Sequence, residues 1–241
     1  MSVRLEALLA PLGLSRCEAP PTEEAFLLLE AGSGLELRPP GRPDRPGIQA
    51  LFPPDRPSSA RGGVRLPLVK AFGPRIERIH DGTAGLGGDA YRLAAAGHRV
   101  RACERHPAVY ALLASAWERA CEQGSVPADV ASRLSFEWSE AATMIDAIEG
   151  LDQGVYLDPM YPAPRRRSAL PRREIQVLRE LIGEEPDPVR LLARAREHAA
   201  RVVVKRPPHA RPLMEDVGFT VASKLVRLDV YLNPARMAST R

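Results

Sequence analysis

Arg75-Ile-Glu-Arg-Ile-His-Asp81-Gly-Thr-Ala-Gly-Leu-Gly-Gly-Asp89 carries the reading that decides the fold. Alternating apolar and polar residues predict a strand over 75–80, and the pattern that follows the glycines predicts a helix over 88–96. Glycines between the two permit positive φ and let the backbone pass close to a ligand. The helix start adds unpaired N–H groups and positive potential. Gly85, Gly87 and Ala90 match the spacing G-x-G-x-x-G/A. Asp81, Gly85 and Gly87 are therefore candidate cofactor-facing positions. Taken alone the signal is weak, and a tight structural turn between strand and helix is the lesser alternative.

The same alternation repeats outward from this turn. Further strands are predicted over 99–103, 134–138, 154–157, 201–204, 219–223 and 226–232, and further helices over 107–123, 141–149, 175–182 and 188–200. Repeated βα units imply an α/β domain, a parallel sheet with helices on both faces. The link near Lys224-Leu225 is too short for a crossover, so the last two strands form an antiparallel hairpin at one sheet edge. Residues 1–60 read differently. They hold a short helix near the start, two short strands around Ala31-Gly-Ser-Gly34, and a stretch dense in proline and arginine with one apolar island at 48–52. A small N-terminal β-containing lobe with a stiff linker, 1–60, is expected before a main domain, 61–241.

Composition narrows the class of protein. The chain has 241 residues, is 44% hydrophobic and carries a formal net charge of +4, which permits a polyanionic partner without demanding one. No apolar run approaches the ~18 residues that span a membrane. Met1 to Ala10 holds Arg4 and Glu6 and lacks a signal-like apolar stretch, so a cytoplasmic protein is expected. Cys17, Cys103 and Cys121 are too widely spaced for a zinc site, and no metal is implied.

Two positions give the chemistry. The second predicted strand ends in Ala102-Cys103-Glu104, and Glu104 stands 23 residues after Asp81, near the ~20-residue spacing of a ribose-binding acid. A nucleoside-containing cofactor over the first two strands follows, either NAD or S-adenosylmethionine. Tyr156-Leu-Asp158-Pro159-Met160-Tyr161-Pro162 then chooses between them. A strand running into Asp-Pro-x-Tyr resembles motif IV of amino-group methyltransferases. An exocyclic amine is conjugated with its ring and is a poor nucleophile. Asp158 can accept one N–H, and a nearby backbone carbonyl can accept the other, which aims the lone pair at the methyl donor. Pro159 stiffens the loop, and Tyr161 offers a face for stacking a base. A hydride-transferring enzyme would need a catalytic constellation that His80, His98, His106, His198 and His209 do not supply.

The order of these motifs is that of a Rossmann-like class I methyltransferase fold, a seven-stranded, mostly parallel sheet with an antiparallel last strand. The chain further resembles the ribosomal RNA small-subunit methyltransferase J family, bacterial guanine-N2 methyltransferases. Asp81 to Asp89, Cys103-Glu104-Arg105-His106-Pro107, Tyr156 to Pro162 and Val202-Val-Val-Lys205-Arg206-Pro207 carry the likeness, which spans 60–232. The resemblance implies S-adenosylmethionine contacts at Gly88-Asp89, at Glu104-Arg105, around Ser139-Glu140-Ala141 and at Asp158. Two departures stand out: the family often has a basic residue at the place of Gly88, and Ser-Ser near Glu140-Ala141. It also implies a partner, small-subunit ribosomal RNA or the assembling small ribosomal subunit.

Phosphate contacts are expected from Arg165, Arg166, Arg167, Arg172 and Arg173, which follow the Asp-Pro-x-Tyr loop, and from Lys205 and Arg206 at the carboxyl end of a strand, although Lys205 could instead pair with a nearby acid. Trp117 and Trp138 read as core. Two rivals share parts of this pattern. One is a DNA or other RNA amino-methyltransferase acting on adenine N6 or cytosine N4, which usually carries a separate sequence-reading domain. The other is a non-catalytic binding module, against which the intact Asp158-Pro159-Met160-Tyr161 argues.

Overall fold

The structure, a computed structural model, describes residues 3–14, 17, 25–31, 34–41, 46–52, 66–150, 152–160, 173–183, 187–223 and 225–237. The elements are α1 (Val3–Leu9), a 3₁₀ turn (Ala10–Leu12), β1 (Leu27–Ala31), β2 (Gly34–Arg38), α2 (Pro67–Phe72), β3 (Arg78–Asp81), α3 (Gly88–Ala95), β4 (Arg99–Glu104), α4 (Pro107–Glu122) and α5 (Ala128–Ala131). They continue with β5 (Leu134–Trp138), α6 (Ala141–Asp146), β6 (Gln153–Leu157), α7 (Arg173–Ile182), α8 (Pro188–His198), β7 (Arg201–Arg206), β8 (Phe219–Ala222), β9 (Arg227–Leu232) and α9 (Pro234–Met237).

Seven strands form one sheet in the order β5-β4-β3-β6-β7-β9-β8. β5, β4, β3, β6 and β7 run parallel, and β9 is antiparallel to both β7 and β8. This is the class I methyltransferase arrangement expected above, with one refinement: the antiparallel β9 is inserted, and its hairpin partner β8 takes the edge. The chain steps one way from β3 to β4 and β5, then returns to place β6 on the other side of β3. That reversal opens a crevice at the carboxyl ends of β3 and β6, where ligands settle in open α/β sheets.

The burial pattern follows the strand period of two. Tyr156 of β6 and Val203 of β7 face a core built with α2, α3 and α4. Val155, Leu157, Val202 and Val204 face the opposite core, built with α6 and α8. All five residues of β6 are buried, as a strand covered on both faces should be. α4 starts with proline at its first turn, where no N–H is needed. α8 is capped by Asp187, whose side chain accepts the Arg190 N–H at 2.8 Å.

β1 and β2 pair as an antiparallel hairpin, and Leu37 exchanges backbone bonds with Ile48. Leu35, Leu37 and Ile48 pack on Val109 and Leu112 of α4 and on Val177 and Leu178 of α7. Phe52 reaches the main core, edge-on to Tyr91 and Trp117. Trp138, expected inside, is 46% exposed and donates its indole N–H to the Arg105 carbonyl at 3.0 Å.

Candidate active site

A cavity of about 410 Å³ occupies the crevice between β3 and β6, within the ~300–1,000 Å³ of a typical small-molecule site. Gly82, Thr83 and Gly85 form its floor at the end of β3, with Glu104 and Arg105 beyond β4. Glu140, Ala141 and Ala142 enter from the start of α6, and Asp158, Pro159 and Met160 from the end of β6. Ile182 of α7 and Asp187, Arg190, Leu191 and Arg194 around α8 make the outer wall. Gly85, Glu104, Arg105, Glu140, Ala141 and Asp158 are thus brought together from distant parts of the chain, with Pro159 beside them.

The glycine-rich turn divides by role. Gly85 has φ +53° and nothing within 4 Å of where a Cβ would stand, so its backbone faces open space in the cavity. Gly87 also has positive φ, +79°, but an added Cβ would sit 2.6 Å from Leu113 and 3.0 Å from Phe52. Its missing side chain makes room for core packing, so Gly87 does not line the cavity as the sequence suggested. Gly88 opens α3 on the exposed side and also lies outside the lining. Asp81 is buried beneath the turn. Its Oδ1 accepts the Thr83 N–H at 2.9 Å and the Thr83 hydroxyl at 3.3 Å. Burial pushes the Asp81 carboxyl up to about 7, against the pull of the Thr83 amide. Asp81 therefore shapes the turn from behind rather than facing a ligand.

Thr83 is the residue sequence reasoning missed. Its Oγ1 accepts the Asp158 N–H at 2.7 Å, and the Gly82 N–H donates to the Tyr156 carbonyl at 3.0 Å. These bonds fix the turn after β3 against the loop after β6. The signal was the hydroxyl two residues after Asp81, in a turn where side-chain oxygens replace backbone acceptors. Arg190 and Arg194 were also missed, because nothing local shows that α8 folds back over the crevice.

Glu104 is 6% exposed. Its Oε2 accepts the Gly85 N–H at 3.0 Å, and its Oε1 accepts the His106 N–H at 2.8 Å. Burial raises its carboxyl, and the two amides oppose that shift. Each oxygen keeps a further lone pair, so a diol can still be accepted while the amides hold the carboxylate in place.

Asp158 is held differently. Lys205 Nζ donates to Asp158 Oδ2 at 2.8 Å and to Asp89 Oδ2 at 2.9 Å. Asp89 Oδ2 also accepts the Tyr156 hydroxyl at 2.7 Å, and Asp89 Oδ1 pairs with Arg92 at 2.8 Å. Burial raises the Asp158 carboxyl, and the Lys205 ammonium opposes this. Burial acts on Asp89 in the same way, but Lys205 outweighs it and holds the carboxyl below its ordinary range. Lys205 is itself raised: burial works against its charge, and the two carboxylates overcome that penalty. Asp89 therefore belongs to an ion-pair network and not to the cavity lining.

The strand period also corrects Lys205 and Arg206 as phosphate contacts. Lys205 shares the inward face of Tyr156 and ends on two carboxylates. Arg206, on the other face, is buried and donates to the Arg211 carbonyl at 2.5 Å. Arg173 is exposed at the start of α7 and bonds the Pro46 carbonyl. Tyr161, Arg165, Arg166, Arg167 and Arg172 lie outside the described residues. Among the described residues no group of His, Cys, Asp or Glu could hold a metal ion, and no helix is long and apolar enough to cross a membrane.

The lining fits S-adenosylmethionine: an open glycine backbone at Gly85 for the close approach, a buried carboxylate at Glu104 for a ribose, and a second acid, Asp158, beside Pro159. With the inserted antiparallel strand, fold and cavity define a class I S-adenosylmethionine-dependent methyltransferase. The family model described as "Putative SAM-dependent methyltransferase" matches residues 17–233. Ribosomal RNA small subunit methyltransferase J of Aliivibrio fischeri is 36% identical over 250 residues, covering 96% of this chain and 93% of its own. The enzyme of the same name from Yersinia pseudotuberculosis is 39% identical over 217 residues, covering 87% and 84%. A crystal structure of a SAM-dependent methyltransferase from Neisseria gonorrhoeae superposes with a TM-score of 0.72 at 31% identity, covering 97% of this chain and 93% of that one. The chain belongs to the ribosomal RNA small subunit methyltransferase J family.

Proposed function

We propose that this protein transfers a methyl group from S-adenosylmethionine to the exocyclic N2 amino group of a guanine in small-subunit ribosomal RNA, as naked RNA or within the assembling subunit. The reading is supported by the relatives' names and carried by one observation. Asp158 lines the cavity with Oδ2 engaged by Lys205, while its other oxygen has no hydrogen-bond partner among the described residues. About a third of its side-chain surface, 35%, is open.

When bound, S-adenosylmethionine supplies an electrophilic methyl group and a neutral leaving group. The chain's residues supply position. Glu104 accepts ribose hydroxyls, Gly85 admits the ligand's backbone-facing edge, and Glu140 accepts the adenine amino group. Asp158 accepts one N–H of the target amine and turns its lone pair toward the methyl donor. As the nitrogen gains its fourth bond it becomes acidic, and Asp158 takes the proton that leaves. Pro159 keeps the loop rigid, and Tyr161 stacks on the base. Arg165, Arg166, Arg167, Arg172 and Arg173 bind phosphates around the target nucleotide.

Incubating the purified protein with labelled S-adenosylmethionine and small-subunit RNA from a strain lacking the gene tests this reading. Label in N2-methylguanosine after nucleoside digestion is the expected result. Label in N6-methyladenosine or N4-methylcytidine instead would assign another amine.

A further inference from the structure

Lys205 carries more than its expected place at the substrate face. A lysine held at 2.8 and 2.9 Å by two carboxylates is not available to a phosphate. Moving it outward would leave Asp89 and Asp158, both only partly open to solvent, without their shared cation, and leaving a desolvated charge unpaired is costly. We infer that Lys205, steadied by Asp89, is the positioning residue that keeps Asp158 a carboxylate with a single oxygen presented to the acceptor amine. The inference rests on the proposed reading that Asp158 receives that amine.

The geometry explains why a lysine is needed. Asp158 follows a fully buried strand and faces charges from every side. Asp89 of α3 is a like charge, Asp81 of β3 is a buried acid that holds its proton up to about 7, Tyr156 of β6 is a neutral phenol, and Lys205 of β7 is the cation that touches it. Arg190 and Arg194 line the far wall of the same cavity. Without Lys205, burial and Asp89 both favour the protonated acid. A protonated Asp158 would meet an amine that needs an acceptor, and neither the aim of the lone pair nor the removal of the proton would follow.

Asp89 serves the lysine in turn. Its two oxygens accept from Tyr156, Lys205 and Arg92, so the ammonium is anchored from β6 and α3 as well as from Asp158. Two carboxylates are balanced by Lys205 and Arg92. The Tyr156 hydroxyl stays protonated, since burial and Asp89 raise it well above its ordinary range, and it remains a donor. The ammonium is fixed in place, and so is the oxygen it holds.

Removing charge at the two ends of this chain must act in opposite directions, which a structural role does not predict. The Asp158 carboxyl is followed by carbon NMR in protein labelled at the aspartate carboxyls, with Asp158→Asn identifying its signal. Lys205→Met should move its titration midpoint upward by ~1–3 pH units, the usual effect of losing an opposite charge at this range. Lys205→Arg should leave it near that of the unaltered protein. Asp89→Asn removes the competing carboxylate and should move it downward.

Single-turnover methylation of small-subunit RNA should follow, the pH of half-maximal rate rising in Lys205→Met and falling in Asp89→Asn. RNA affinity and its salt dependence should stay unchanged. An Asp158 signal that titrates alike in all four proteins overturns the inference, as does a loss in Lys205→Met confined to RNA affinity and salt slope. NMR midpoints that move while the rate profiles stay fixed uphold the ion pair and overturn Asp158 as the amine's acceptor. Should Lys205→Met fail to fold, the downward shift in Asp89→Asn decides alone.

Discussion

On the β4 side of the cavity a carboxylate is held by two backbone amides; on the β6 side a carboxylate is held by a lysine. Glu104 receives the Gly85 and His106 N–H groups, dipoles built into the turn that cannot titrate. Asp158 receives Lys205 Nζ, a full charge on a side chain. Amides orient an acid without cancelling it, which suits a group that holds a ligand before and after reaction. An ion pair sets an acid's protonation as well as its direction, which suits a group that meets a proton during reaction. On the proposed reading, one cavity separates holding from reacting through what stands behind each acid.

The sharpest way to break this contrast is Asp158→Ala. It should lower the single-turnover rate by a factor on the order of 10²–10³, the usual loss for a preorganised polar contact. S-adenosylmethionine affinity should hardly change. Glu104→Ala should do the reverse, weakening the cofactor by about 1.5–3 kcal/mol, the value of hydrogen bonds to a charged group, as calorimetry would read it. Equal cofactor losses in both variants would erase the distinction.

A third variant lies on neither side. Replacing Arg165, Arg166 and Arg167 by alanine should reduce the log–log salt slope of RNA binding by roughly 0.7–0.9 for each phosphate that is no longer neutralised, with cofactor affinity intact. An unaltered slope makes the run a solvated surface.

The smallest effect concerns Asp81, the acid behind the turn. Its carboxyl stands at about 7 in the fold against an ordinary value of 3.8. The folded protein therefore keeps a proton that the unfolded chain releases, and this contribution to stability falls as pH rises from about 4 to 7. Asp81→Asn should lack that decline. Denaturant melts at pH 4.5 and 7.5, approximate ends of this window, would show the variant gaining on the unaltered protein at the higher pH; a constant difference would place the Asp81 proton elsewhere.

What the sequence made legible was whatever has a short period or a fixed neighbour. β5 matched its expected span, and β4, β6 and β7 differed by one or two residues at an end. Short apolar stretches bounded by helical patterns mark such strands well, and the Val202-Val203-Val204 run of β7 is the plainest. α2 and α5, at six and four residues, are too short to show a helical period. Glu104 and Asp158 were readable because each ends a strand on the ligand face. The Lys205 pairing was not, since Asp89, Asp158 and Lys205 come from three elements and meet only when β6 lies between β3 and β7. Gly85 and Gly87 look alike in sequence. Only Leu113 and Phe52, from distant parts of the chain, tell the packing glycine from the open one.

The cluster that joins β2, α4 and α7 has a mechanical meaning for the loop after β6. Met160, where that loop leaves the cavity, packs against it, and so does Ile182 at the end of α7. Both residues also line the cavity. Met160 and Ile182 thus bring the cavity wall onto one block, and Leu35, Leu37 and Ile48 of the N-terminal region are part of that block. The hairpin β1–β2 and Ile48 then brace one wall of the cavity as well as covering α4. Anything that loosens them, whether heat, truncation or a partner drawing on β1 and β2, would reach the cavity through Met160 and Ile182.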